Sequence, residues 1–179
     1  MTTGSPLFED RSRAESFGAV AELYDRARPE YPQSLIDALQ ADGERTVLDV
    51  GCGTGIVAAL FTARGCRVTG VEVDPRMAEI ARRKGLEVEV GAFERWDDHG
   101  RRFDLVTSGQ AWHWIEPAAG MARAADVLNE AGRFAAFWNF GHPPVHIRGR
   151  IAPIYDRLAP SLENYSVALD GRLGASGPA

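Results

Sequence analysis

The chain has 179 residues, of which 45% are apolar and 25% charged, and carries a net charge of −5. One domain of this length buries roughly two-thirds of the surface its unfolded chain exposes, and no apolar run approaches the 18 or so residues that a membrane helix needs. The acidic balance offers no general attraction to nucleic acid or to an anionic membrane. The opening "MTTGSPLFEDRSRAES" has no apolar core that would suggest a secretory signal, so a cytoplasmic location is expected.

The first 40 residues contain "RAESFGAVAELYDRARPEYPQSLIDALQ", two short helical patterns joined by a linker kinked around Pro29 and Pro32. Residues 41–140 then alternate β-like runs with helical patterns, which predicts an α/β fold: a doubly wound, mostly parallel sheet with helices on both faces. The expected strands are "TVLDV" (46–50), "RVTGVEV" (67–73), "LEVEV" (86–90), "FDLVTS" (103–108) and "RFAAFWN" (133–139). Between them "TGIVAALFTARG", "PRMAEIARRKG" and "PAAGMARAADVLNEAG" are apolar at helical spacing and close on Gly65, Gly85 and Gly132. Asp74 followed by Pro75 makes a helix start, with the acid as cap and the proline in the first turn. The polar stretch 92–102 predicts a loop with at most one helical turn. Residues 141–179 predict a helix over 143–160, interrupted at Pro153, and a flexible tail. Cys52 and Cys66 fit neither a disulfide framework nor a zinc spacing and read as small buried thiols. His142 and His146 stand four apart, but Pro143 and Pro144 break the helix that would align them, so no metal is expected.

The stretch "VLDVGCGTG" (47–55) carries a strand into a glycine turn and then a helix. Such a turn predicts free backbone N–H groups and the positive end of a helix dipole facing a ligand, with Gly51, Gly53 and Gly55 permitting close approach. A dinucleotide fingerprint would place its last glycine one residue later, where Ile56 stands. Asp49, two residues before the first glycine, would repel a pyrophosphate and attract an amine. Glu72 follows Gly51 by 21 residues, the spacing at which an acid accepts hydrogen bonds from both ribose hydroxyls. A ligand with an ammonium, a carboxylate and an adenosine-like ribose satisfies all three features, and S-adenosyl-L-methionine is such a molecule. The competing reading leaves Asp49 and Glu72 as solvated acids at strand ends.

"VLDVGCGTG" resembles motif I of the class I S-adenosylmethionine-dependent methyltransferases, and "VTGVEVDPRMAEIAR" resembles the segment that follows it in the small-molecule branch. "FDLVTSGQAWHWIEP" and "AGRFAAFWN" resemble the fourth and fifth strands of that fold. "FGAVAELYDRARPEYP" resembles the N-terminal lid of a subgroup that includes trans-aconitate methyltransferase-like enzymes. The resemblance covers roughly residues 15–140. It implies a helical lid over 1–40, a Rossmann-like cofactor-binding core over 41–140 and a C-terminal helix and tail over 141–179. It further implies a turn formed by Gly51, Cys52, Gly53 and Gly55, Asp49 near the methionine amino group, Glu72 on the ribose and Val73 against the adenine. In the third loop, Ala92 and Phe93 stand where the family often has an acid that contacts the adenine amine, so apolar contact and backbone bonds are expected there, with Glu94 behind them. Gln110 and Ala111 fall beside the methionine and sulfonium. Tyr24 and Arg28 match the lid, with Arg28 placed to pair with the methionine carboxylate; the alternative makes Arg28 a surface residue and Tyr24 a packing one. The family's sheet has seven strands, and the last two are expected to be absent here. That leaves the fifth strand's apolar edge either in a shortened chain or covered by a second copy in a homodimer.

Methyl transfer from a sulfonium is an in-line displacement, so the protein's tasks are positioning and exclusion of water, with a base needed only for a protonated acceptor. His113 in "QAWHWIEP" is the candidate base, against a packing role between Trp112 and Trp114. Those two tryptophans point in different directions, so at most one lines a pocket, where it could meet a sulfonium through its ring face. A small metabolite is the expected acceptor; for a carboxylate, Arg28, Arg148 and Arg150 are the candidate receivers. Two other functions fit less of the pattern. One is a shortened, catalytically silent S-adenosylmethionine-binding or dimerising protein. The other is an NAD(P)-dependent oxidoreductase, which the glycine spacing and Asp49 disfavour.

Overall fold

The runs of β-branched and apolar residues pair into one sheet in a computed structural model that describes residues 17–43 and 45–139, with Phe8 and isolated positions between 147 and 157. The strands are β1 (Thr46–Val50), β2 (Arg67–Glu72), β3 (Glu87–Val90), β4 (Phe103–Gly109) and β5 (Leu128–Phe137). Their order across the sheet is β3-β2-β1-β4-β5, and every pairing is parallel. The helices are α1 (Ala21–Ala27), α2 (Gln33–Leu39), α3 (Ile56–Thr62), α4 (Pro75–Arg83) and α5 (Pro117–Val127). Short 3-10 turns occupy Phe17–Val20, Phe93–Arg95 and Trp112–Trp114. The chain runs outward from β1 to β3, then returns past β1 to lay down β4 and β5. Its direction of winding therefore reverses between β1 and β4, and a crevice forms at their carboxyl ends.

Period-two alternation sends side chains to two cores. Val47 and Leu105 pack with Ile36, Val57 and Phe61 on the side of α2 and α3, while Leu48, Val50 and Val106 pack with Phe93, Phe103, Ala124 and Val127 on the side of α5. Each fully buried large apolar side chain contributes roughly 1.5–3 kcal/mol. The amino end of the sheet is tied by Asp104, whose carboxylate accepts from the amides of Arg45 (3.0 Å) and Thr46 (2.9 Å), the Thr46 hydroxyl (2.8 Å) and Asn129 (2.7 Å). Burial works against that charge, but these bonds prevail and hold the carboxyl at about 2. Asp74 caps α4 as expected: its side chain accepts from the Arg76 amide, with Pro75 in the first turn.

The first four strands lie within one residue of the bounds read from sequence, but the fifth does not. Gly132 does not close α5. The helix ends at Val127, and Leu128 is already extended and paired with Phe103. Two residues further along β4, Leu105 pairs with Arg133, so residues 129–132 form an irregularity in the ladder. The sequence from 117 to 132 is apolar at helical spacing throughout, and strand pairing overrides the last turn and a half of that pattern. Among the described residues β5 is an edge, paired to β4 alone.

The chain divides into two units, Met1–Trp138 and Asn139–Ala179. The first contains α1, α2 and the whole sheet. The helix expected over 143–160, apart from isolated positions, the flexible tail, Arg148, and the His142 and His146 pair lie outside the described residues. No helix among the described residues is long and apolar enough to cross a membrane.

Candidate functional site

The turn after β1 is built to be tight. Gly51, Gly53 and Gly55 all take left-handed backbone conformations (φ 66°, 57° and 83°), which cost an L side chain on the order of 1–2 kcal/mol. Two of them also lack space: a Cβ on Gly51 would stand 2.5 Å from the Ala111 Cβ, and one on Gly55 would stand 2.2 Å from Leu86 Cδ1. The turn is less open than its composition predicts. The amides of Gly51 and Cys52 donate to the Val71 carbonyl (2.8 and 3.2 Å), Gly53 donates to Glu72 Oε2 (2.8 Å), and Gly55 donates to the Cys52 carbonyl (2.9 Å). These N–H groups stabilise the turn itself and do not form an open anion cradle.

Both acids are buried, which removes the reading as solvated strand ends. Asp49 is 1% exposed and Glu72 7%. Glu72 accepts from the amides of Gly53 and Asp74 (2.8 and 2.9 Å) and so ties the turn to the end of β2. Burial pushes its carboxyl up, against the pull of those amides. Asp49 is less well provided. Its Oδ1 accepts a long bond from the Thr107 hydroxyl (3.3 Å), and among the described residues its Oδ2 has no partner. Burial pushes the Asp49 carboxyl up to about 7, opposed by Thr107 and the Ala58 amide and reinforced by the charge of Glu72. A buried carboxylate oxygen without a donor is costly and is matched chemically by an ammonium group.

The N-terminal segment reaches this acid through a residue that the sequence did not single out. Tyr31 is buried, packs edge-on against Phe137 (5.0 Å between centroids), and has its phenol pushed up to about 12 by burial, then by the Asp49 charge and by Tyr24, with Arg28 opposing. Its signal was the aromatic in "RPEYP", a position easily taken for packing. The Arg28 guanidinium lies over the Tyr24 ring (4.8 Å). The charges of Asp49 and Arg28 and the Tyr24 phenol all act on the Tyr31 phenol.

After β4, Gln110 adopts φ 59° and donates its amide to the Phe137 carbonyl (2.9 Å). A left-handed glutamine at the carboxyl end of a central strand is the kind of local strain that accompanies functional loops. Trp112 turns inward against Phe134 (4.5 Å) and Phe93 (6.2 Å), whereas Trp114 lies tilted against the His113 ring (4.8 Å). His113 Nδ1 accepts from Trp138 Nε1 (3.1 Å), so the neutral ring in this arrangement carries its proton on Nε2.

Two expected contact residues direct their side chains elsewhere. Phe93 is 2% exposed in the core shared with Trp96 and Trp112. Cys52 is 7% exposed among Ala58, Ala78 and Val88, with burial pushing its thiol well up. An apolar ring and a small thiol beside a sheet gain more from burial than from facing a crevice, so each has only its backbone to offer a ligand. Ala92 and Val73 are half-buried. Glu94 accepts from the Glu116 amide (3.2 Å) and so steadies the start of α5. Arg150 belongs to the second unit.

A parallel sheet whose winding reverses beside a glycine turn, with buried acids at the ends of two adjacent strands, defines a Rossmann-like domain of the nucleoside-binding class. Within that class, residues 47–132 match the model of the methyltransferase domain, and solved structures that share the fold include S-adenosylmethionine-dependent methyltransferases. It is 35% identical over 131 residues to an uncharacterised methyltransferase of Mycobacterium tuberculosis, covering 72% of this chain and 54% of that protein. A malonyl-(acyl-carrier protein) O-methyltransferase of Acetivibrio thermocellus is 28% identical over 128 residues, 68% of this chain and 45% of that one. Among solved structures, the CcbJ methyltransferase of Streptomyces caelestis shares the fold, with a TM-score of 0.58 at 23% identity over 69% of this chain and 57% of that chain. The chain spans about half the length of these curated relatives.

Proposed function

We propose that the domain binds S-adenosylmethionine and transfers its methyl group to a small-molecule acceptor in the cytoplasm. The observation that carries this reading is the unpartnered Asp49 Oδ2, buried beside the glycine turn. An ammonium there would supply the missing donor and hold the carboxylate ionised, while the free lone pairs of Glu72 would accept the ribose hydroxyls. S-adenosylmethionine supplies an activated methyl group on a sulfonium. The chain's own residues bind and orient. Gly51, Gly53 and Gly55 bring backbone close to the ligand, Val73 and Ala92 flank the adenine, and the backbone of Cys52 and Phe93 completes the wall. Gln110 lies beside the methionine, Arg28 pairs with its carboxylate, and Tyr24 supports Arg28.

His113 is the candidate base of the reaction. Taking a proton at Nδ1 requires the Trp138 N–H to move away, so an acceptor that is already deprotonated suits this site better than one that needs a strong base. The β5 edge is proposed to pair with the same edge of a second copy, a homodimer that a solution mass measurement would test.

Calorimetric titration of the full chain with S-adenosylhomocysteine and with NAD tests the cofactor. Binding of the first and not the second is expected, and binding of NAD alone would overturn the assignment. A panel of small carboxylic acids, alcohols and amines incubated with methyl-labelled donor then tests transfer. Label retained wholly on the donor would favour a domain that binds the cofactor without using it.

A further inference from the structure

Helix α1 contacts the rest of the domain through a small apolar cluster, in which Ala21 and Tyr24 meet Met77 and Ile80 of α4. Met77 also reaches the glycine turn, its Cε lying 3.5 Å from where a Cβ on Gly53 would stand. Such a limited contact gives a seven-residue helix little stability of its own, and two ion pairs supplement it. Arg83 pairs with Glu22 on the exposed side. Lys84 is placed differently: its Nζ donates to Asp25 Oδ1 of α1 (2.5 Å) and to the carbonyl of Thr54 in the glycine turn (3.0 Å). Asp25 is 20% exposed and Lys84 36%, so solvent screens this pair less than a fully exposed one. Among the described residues the Thr54 hydroxyl is buried without a hydrogen-bond partner; against the upward push of burial, the bond and charge of Lys84 help hold the Asp25 carboxyl below its ordinary range.

We infer that Lys84 is a positioning residue, a latch whose ammonium ties Asp25 of α1 to the Thr54 carbonyl of the glycine turn and thereby couples closure of the N-terminal helix to residence of the cofactor. This coupling rests on the proposed cofactor. Lys84 stands at the carboxyl end of α4, next to Gly85, and it acts only through α1 and the turn. When the latch is broken, α1 keeps its apolar contact and the exposed Arg83–Glu22 pair and loses its tie to the glycine turn. The bound nucleoside then escapes faster, while its rate of entry changes little.

The test uses the full chain with Lys84→Met, Asp25→Asn and Lys84→Arg. Amide hydrogen exchange without ligand reads the latch itself. Residues 21–27 are expected to lose about tenfold in protection in Lys84→Met and Asp25→Asn, the size of one partly screened charge-assisted bond, with the amides of β1 and β4 unchanged. Stopped-flow release of S-adenosylhomocysteine reads the coupling. An off-rate raised about tenfold with an on-rate within threefold is expected, Lys84→Arg restoring most of the loss. Unchanged protection of 21–27 in both single variants would overturn the latch. Lost protection with an unchanged off-rate would overturn the coupling. A wild-type chain that fails to bind S-adenosylhomocysteine would overturn the cofactor assignment and the coupling with it, while the exchange measurement still decides the latch.

Discussion

Replacing Asp49 with asparagine should reverse its effect on stability between acid and alkaline conditions. The side chain is fully enclosed, and its carboxyl titrates at about 7 in the folded chain against 3.8 when exposed. Because the folded value is raised, the unfolded chain loses its proton first. The burden is absent below about pH 3.8, grows as pH rises, and is complete above about 7. A shift of this size corresponds to about 4 kcal/mol of lost stability at pH 8. Asparagine keeps the shape and the acceptor for Thr107 but buries an amide nitrogen where Oδ2 had no partner, at a cost of about 1–3 kcal/mol at every pH. The variant should therefore be less stable than the parent near pH 4.5 and more stable by roughly 1–3 kcal/mol at pH 8. Urea unfolding of both proteins at pH 4.5, 6 and 8 measures this. A difference between them that stays constant with pH would refute the reasoning. The same variant should bind S-adenosylhomocysteine about ten- to a hundredfold more weakly at pH 8, the size of one charge-assisted bond to an ammonium.

Asp104→Asn should cost about 1–2 kcal/mol at pH 7, its partial exposure keeping the loss below what the shift to about 2 would suggest. The folded value is depressed, so the contribution is complete above about pH 3.8 and disappears as pH falls through 2; acid titration of stability should show that slope in the parent and not in the variant. Gly55→Ala combines a left-handed backbone with a Cβ 2.2 Å from Leu86 Cδ1, and should lower stability by about 3 kcal/mol in thermal unfolding, whereas Gly85→Ala, with nothing within 4 Å, should cost only the backbone share. Asp74→Ala removes the cap of α4 and should cost about 1–2 kcal/mol, with Asp74→Ser recovering most of it in the same urea assay.

The sequence by itself determined the elements whose signal is local. Period-two runs placed four strands to within a residue. The Asp-Pro pair started α4 where it begins, and three glycines in five positions marked a turn that only left-handed backbone can make. Asp49 and Glu72 were legible because each stands at a fixed spacing from that turn. What the tertiary structure decided were partners, because hydrogen bonds and burial are allotted in space. The amides of the turn go to Val71 and Glu72 and not to open solvent. Phe93 turns into the core, and Tyr31 is buried against Phe137 where the Asp49 charge acts on its phenol. Residues 128–132 continue a helical pattern yet leave the helix, because β4 pairs Leu128 and then Arg133 and the residues between form an irregularity in the ladder. The ties Thr46–Asp104 and Asp25–Lys84 join residues 58 and 59 positions apart. No window of neighbouring residues contains both ends of such a bond, and only the folded backbone brings them within reach.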